Sequence, residues 1–307
     1  MRALVYKSTG SWYQVKDTDG VRHNARMVGK LKIGGITSTN PIAVGDWVEI
    51  ENEKEHESTI ITTVHERNNY INRTSPHNKN QHHIVAANLD QSLLFATLKD
   101  PKTSFGFIDR FLVISEAYRV PAIIVFNKAD LYKKKEIEKF DLAKSIYEPI
   151  GYQVKLISIE KLIGVEELQI VLKDKTTLLS GHSGVGKSTF INFIFPELKL
   201  KTKEVSGWSG KGMHTTTFAE MFDLSFGGKV IDTPGIREMG IVDVSKNELA
   251  HYFPEMRAVM NNCQFNDCNH LEEPGCAVKE AVNEGSIHVE RYLSYLNIRD
   301  TIEAKSY

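Results

Sequence analysis

The sequence predicts a multi-domain chain: an N-terminal β-barrel, a central α/β domain with a mostly parallel sheet around a phosphate loop, and a mainly helical C-terminal domain that binds metal. Three observations carry this. Residues 1 to about 70 are short alternating stretches broken by turn residues. From about residue 86, continuous apolar runs alternate with helical patterns. All three cysteines fall between positions 263 and 276. The expected domain limits are 1–72, 73–240 and 241–307.

In the first domain, Trp12-Tyr13-Gln14-Val15 and Asp46-Trp47-Val48-Glu49-Ile50 read as strands, separated by Gly20, Gly34-Gly35, Pro41 and Gly45. Many short strands at this spacing suggest a small barrel. The pattern fits a plain spacer as well as an OB-like barrel that binds RNA. Residues 68–85 read as a polar connector, with local basic character from Arg67, Arg73, His77, Lys79, His82 and His83. That composition suits a solvated linker or an edge that contacts phosphates.

In the second domain, residues 93–96 and 122–126 read as strands, and the unbroken run Ala122-Ile123-Ile124-Val125-Phe126 is expected of a parallel strand covered on both faces. Helices are expected at 107–118 and 136–147, and strands at 154–157 and 176–179. A further helix should begin at Lys187, and after about residue 240 the chain becomes helical.

The stretch Gly181-His182-Ser183-Gly184-Val185-Gly186-Lys187-Ser188 matches the phosphate-loop pattern GxxxxGK[ST]. Its glycines let successive amides face phosphates, and the helix that follows, with Thr189 in its first turn, presents its positive end. Lys187 should reach the β- and γ-phosphates, and Ser188 should ligate Mg²⁺. Asp232-Thr233-Pro234-Gly235 follows a strand. Asp232 is placed to hold Mg²⁺ through water, and the Gly235 amide to meet the γ-phosphate.

Asn127-Lys128-Ala129-Asp130 follows the strand ending at Phe126. The Asp130 carboxylate can accept two hydrogen bonds from guanine N1–H and the 2-amino group, a paired edge that adenine lacks. Asn127 would tie this turn to a neighbouring loop, and Lys128 would lie along the base. Ser158, after the next strand, would support the base through its backbone N–H, although Ser158-Ile159-Glu160 departs from the commoner Ser-Ala-Lys. These motifs predict a GTPase and oppose a P-loop ATPase or kinase. The guanine tetrad precedes the phosphate loop, whereas in ordinary small GTPases it follows, so the core is expected to be circularly permuted.

Residues 199–217 should form a switch segment that responds to the γ-phosphate. Among Thr215, Thr216 and Thr217, the latter two are the leading candidates to complete the Mg²⁺ shell. Ile236 stands where many GTPases place a water-orienting glutamine. Intrinsic hydrolysis should therefore be slow. His214 is the nearest chemically suitable catalytic group; a surface or structural histidine is the alternative.

Cys263-x₄-Cys268-x-His270-x₅-Cys276 supplies three thiolates and an imidazole, the donor set of a closed structural Zn²⁺ site. A clustered, odd number of cysteines argues against a disulfide framework.

Bulk properties narrow the partners. Lys plus Arg number 38 against 39 Asp plus Glu, and the pI is about 6.8, so any RNA-binding surface must be a local patch. No apolar run approaches the roughly 20 residues that cross a bilayer. Met1-Arg2-Ala3-Leu4-Val5-Tyr6-Lys7 turns polar too soon for a signal peptide, so a cytoplasmic location is expected. No oligomeric signal is evident, and a monomer is the default.

Taken together, NKAD, GHSGVGKS, HTTT and DTPG in this order, with CQFNDCNHLEEPGC behind them and Asn40-Pro41-Ile42-Ala43-Val44-Gly45-Asp46 ahead, resemble the RsgA (YjeQ/YloQ) family of ribosome small subunit-dependent GTPases. The likeness spans nearly the whole chain. It implies an OB-fold domain, a permuted GTPase domain and a C-terminal zinc domain. It also implies a late role in maturation of the 30S subunit, contact with 16S rRNA, and GTP hydrolysis to GDP stimulated by that subunit. Trp12, Tyr13, Arg22 and Arg26 are candidate RNA contacts on the barrel.

Overall fold

Alternation at the N-terminus builds five strands: β1 (Arg2–Ser8), β2 (Trp12–Asp17), β3 (Arg22–Met27), β4 (Trp47–Asn52) and β5 (Thr59–Val64). They pair in the order β1-β2-β3-β5-β4, and β4 returns to β1, which closes a five-stranded barrel. This computed structural model describes residues 1–27, 41–52, 59–74, 82–196, 219–233 and 244–302. Ala3, Val5, Tyr13, Val15, Val48, Ile50 and Ile61 fill the barrel.

Tyr13 is therefore not a surface contact: it is 1% exposed, whereas Trp12 beside it is 51% exposed. Neighbouring residues of a strand point to opposite faces, so the two could not share one RNA-binding surface. Arg67 is likewise no part of a basic surface. Its guanidinium pairs with both carboxylate oxygens of Asp46 at 2.6 Å and with the Pro41 carbonyl at 2.7 Å. Asp46 also accepts the Ala43 amide at 2.8 Å. The Pro41–Asp46 phrase is thus a buried polar knot, and Arg67 belongs to it.

The polar connector is a two-stranded ladder, β6 (Tyr70–Thr74) with β7 (His82–Ala87). Its Asn- and His-rich composition masks buried Ile71, Val85 and Ala86, which pack into the central core. The limit expected at 72 falls inside β6. His77 and Lys79 lie outside the described residues.

The central domain runs β8 (Gln91–Ala96), α1 (Phe105–Ala117), β9 (Ala122–Phe126), α2 (Lys134–Tyr147), β10 (Gln153–Leu156), α3 (Val165–Leu172), β11 (Thr176–Gly181), α4 (Lys187–Ile194), β12 (Glu220–Asp223) and β13 (Lys229–Asp232). Its strand order is β10-β9-β8-β11-β13-β12. All neighbours are parallel except β12. Every residue of β8 and β9 is buried. Leu94, Ala96, Ile124 and Phe126 face one core while Leu93, Phe95, Ile123 and Val125 face the other.

One hydrogen-bonded sheet joins barrel to central domain, because β1 pairs with β12 at Lys7 and Glu220. Tyr6 Oη and Lys16 Nζ donate to Asp223 at 2.6 and 2.8 Å, and Lys7 Nζ to Glu220 at 2.7 Å.

The C-terminal domain holds α5 (Pro254–Val259), α6 (Ala277–Asn283) and α7 (Val289–Thr301), and α7 packs on α1. Buried Arg291 of α7 pairs at 2.6 Å with both Asp109 of α1 and Glu255 of α5. Burial opposes its charge, but the two carboxylates more than offset this and raise its pKa. No helix among the described residues is long and apolar enough to cross a membrane.

Candidate nucleotide site and metal centre

The ends of parallel strands bring the nucleotide motifs together. β11 runs into the phosphate loop and α4 leaves it, while β9, one strand beyond β8, runs into the guanine tetrad. Gly186 has φ +103°, and a Cβ there would stand 2.2 Å from Asn127 Nδ2. Asn127 uses that space: Nδ2 donates to the Val185 carbonyl at 2.9 Å, and Oδ1 accepts the Ile159 amide at 3.4 Å. One side chain thus fastens the tetrad to the phosphate loop and to the loop after β10.

Asp130 accepts a hydrogen bond from Ser158 Oγ, which also accepts the Lys161 amide at 3.1 Å. The Ser158 backbone N–H instead donates to the Ile163 carbonyl at 2.9 Å. The Ser158 hydroxyl thus meets the tetrad, while its amide, expected at the base, is engaged within its own loop. Lys128 has φ +66°, and its Nζ donates to the Asp100 carbonyl at 2.6 Å.

Lys187 Nζ donates to the carbonyls of Gly181 and His182 at 2.6 and 2.8 Å. Burial lowers its pKa to about 8, and the charge of Asp232 works the other way. Burial pushes the Asp232 carboxyl up, opposed by Lys187. The His182 ring stacks on Phe107 of α1 with centroids 3.6 Å apart. Ser183, Gly184, Ser188 and Thr189 complete the loop and the first turn of α4. His214, Thr216, Thr217 and Gly235 lie outside the described residues. Sequence reading missed Tyr132, which is bonded to the tetrad; nothing but its place two residues after Asp130 signals it.

The cluster Cys263, Cys268, His270 and Cys276 forms in the C-terminal domain, its ligand atoms all within 4.8 Å of one another. His270 Nδ1 stands 3.7 Å from Cys263 Sγ and 3.5 Å from Cys276 Sγ. Tetrahedral zinc–thiolate bonds of about 2.3 Å separate donors by about 3.8 Å, so the geometry fits such an ion. Tyr292 and Tyr295 of α7 donate to the His270 and Asn269 carbonyls at 2.6 and 2.8 Å, which holds the ligand loop in place.

A family model described as RsgA GTPase matches residues 64–242, and one described as RsgA N-terminal domain matches residues 3–60. The chain belongs to the RsgA GTPase family. It is a GTP-hydrolysing enzyme with a permuted motif order. Among RsgA relatives, the small ribosomal subunit biogenesis GTPase RsgA of Cytophaga hutchinsonii is 51% identical over 97% of both chains. That of Flavobacterium psychrophilum is 48% identical over 97% of this chain and 92% of its own. The fold resembles the crystal structure of YjeQ from Thermotoga maritima, with a TM-score of 0.79 and 36% identity over 97% of each chain. It also resembles YloQ, a circularly permuted GTPase, with a TM-score of 0.75 and 29% identity over 100% of this chain and 96% of that one.

Proposed function

We propose that this chain binds the small (30S) ribosomal subunit late in its maturation and hydrolyses GTP to GDP and phosphate there, with stimulation by the subunit. The observation that carries this reading is full-length identity of 48–51% to small ribosomal subunit biogenesis GTPases. The bond from Asn127 to Val185 supports a single guanine-nucleotide site. In that site Asp130 reads guanine, oriented by Ser158, and Lys128 lies along the base. Amides of residues 181–188 cradle the phosphates, and Lys187 holds the β- and γ-phosphates. Ser188, a hydroxyl of Thr216 or Thr217, and Asp232 through water would hold Mg²⁺, which neutralises charge developing on the phosphates. Gly235 meets the γ-phosphate, and His214 orients the attacking water when the subunit is bound. His214→Ala should then cut stimulated turnover and spare nucleotide binding.

The thiolate–imidazole donor set favours zinc as the structural ion of the cluster. Exposed Trp12 and Arg26, paired across β2 and β3, together with Arg22, support a 16S rRNA contact on the barrel. A first domain limit near residue 64 in place of the expected 72, a second at 240, a monomeric state and a cytoplasmic location complete the proposal. The test is GTP turnover by the purified protein with and without purified small subunits. Stimulation supports the reading, and unchanged turnover refutes it.

A further inference from the structure

Tyr132 follows the short turn Ala129–Leu131 that carries Asp130. Its ring is partly buried against the central core. Its hydroxyl reaches across the ends of β8 and β9: it donates to the Asn127 carbonyl at 2.6 Å and accepts the Leu98 amide at 2.9 Å. Between Asn127 and Asp130 the chain passes through Lys128 at φ +66°, a left-handed conformation that a side-chain-bearing residue rarely adopts. That conformation persists only where neighbouring peptide groups are fixed. Beyond Lys128 the Ala129 amide is tied to the Ile157 carbonyl at 3.0 Å. Before it, the Asn127 carbonyl is tied by Tyr132. The same loop after β8 receives Lys128 Nζ at the Asp100 carbonyl. Burial pushes the Tyr132 phenol up to about 12, so it keeps the proton that it donates.

We infer that Tyr132 is a positioning residue for base recognition: its hydroxyl clamps the turn that aims Asp130 at guanine. This rests on the guanine-site reading above. A tyrosine that only fills the core would be replaced by phenylalanine without effect on base recognition.

The test compares wild type and Tyr132→Phe for binding of GDP and of inorganic tripolyphosphate, a probe of the phosphate loop alone. GDP affinity is expected to fall about three- to tenfold, the scale of one or two lost hydrogen bonds. Tripolyphosphate affinity should be unchanged, and KM for GTP should rise without a change in kcat. Wild-type GDP affinity in the variant, or equal losses for both probes, overturns the inference. Exchange of the Leu98 amide in the wild-type protein gives a second reading that needs no variant: slow exchange is expected, and unprotected exchange contradicts the clamp. Competition of ATP against GTP in wild type separates the two levels. Equal competition sinks the guanine site itself, whereas guanine preference with an unaffected variant sinks only the role of Tyr132.

Discussion

The nucleotide loops and the cysteine–histidine cluster reach their geometry by opposite routes. Asn127 and its partner Val185 stand 58 positions apart and meet only because β8, β9 and β11 lie side by side. His270 stands 7 positions from Cys263 and 6 from Cys276. The first site is held by a sheet buried on both faces. The second sits in a short, loop-rich stretch that two tyrosines of α7 fasten and that has little sheet or helix of its own. Their responses to damage should therefore differ in kind.

Metal removal should give the largest effect. Structural zinc contributes on the order of 10 kcal/mol to the small modules that it organises. A chelator, or Cys276→Ser, is expected to unfold residues 263–276, seen by limited proteolysis and by faster amide exchange in that stretch. GDP affinity should survive. A parallel loss of GDP binding would erase the contrast between the sites.

Arg291→Ala comes next. It leaves Asp109 and Glu255 as buried charges without their partner, at a cost of about 3–5 kcal/mol by urea unfolding. A cost near zero would show that α7 is not fastened to α1 in this way.

Gly186→Ala attacks the nucleotide site at its seam. The added Cβ meets Asn127 Nδ2 at 2.2 Å, and the positive φ disfavours alanine. GDP affinity is expected to fall by at least about tenfold by fluorescence titration. The C-terminal domain should keep its metal, and unchanged GDP affinity would remove Asn127 from its tethering role.

Asp223→Asn should give the smallest effect, within about 1 kcal/mol, because the group is only partly buried. Although burial raises the pKa of Asp223, hydrogen bonds from Lys16 and Tyr6 bring it below the ordinary value. Its contribution is therefore complete above the ordinary carboxylate pKa and is lost as pH falls through the lower folded value. The stability gap between wild type and variant should hold from about pH 7 to 5 and shrink below about pH 4. A gap that widens with acid would contradict this sign.

Local chemistry was legible in the sequence, and pairing across the fold was not. Phosphate loop, guanine tetrad and cysteine spacing each encode their geometry within a few residues. Their order also announced the permutation, which the strand order β10-β9-β8-β11-β13-β12 bears out. Arg67 read as a basic surface residue because composition cannot reveal that Asp46, 21 positions away, encloses it. Tyr13 and Trp12 adjoin in the sequence, yet a period of two sends them to opposite faces of β2. The β6–β7 ladder was hidden because only some of its residues are apolar. The Tyr132 clamp depends on a loop 34 positions earlier, and no local pattern encodes it.

The central claim is that Asp130 and the phosphate loop serve one guanine nucleotide. Xanthine carries a carbonyl where guanine carries its 2-amino group, so an amide in place of the carboxylate should reverse the preference. In competitive binding, Asp130→Asn is predicted to lose GTP affinity by at least about 100-fold and to gain affinity for XTP. Wild-type affinity for GTP in that variant, with no gain for XTP, would contradict the account.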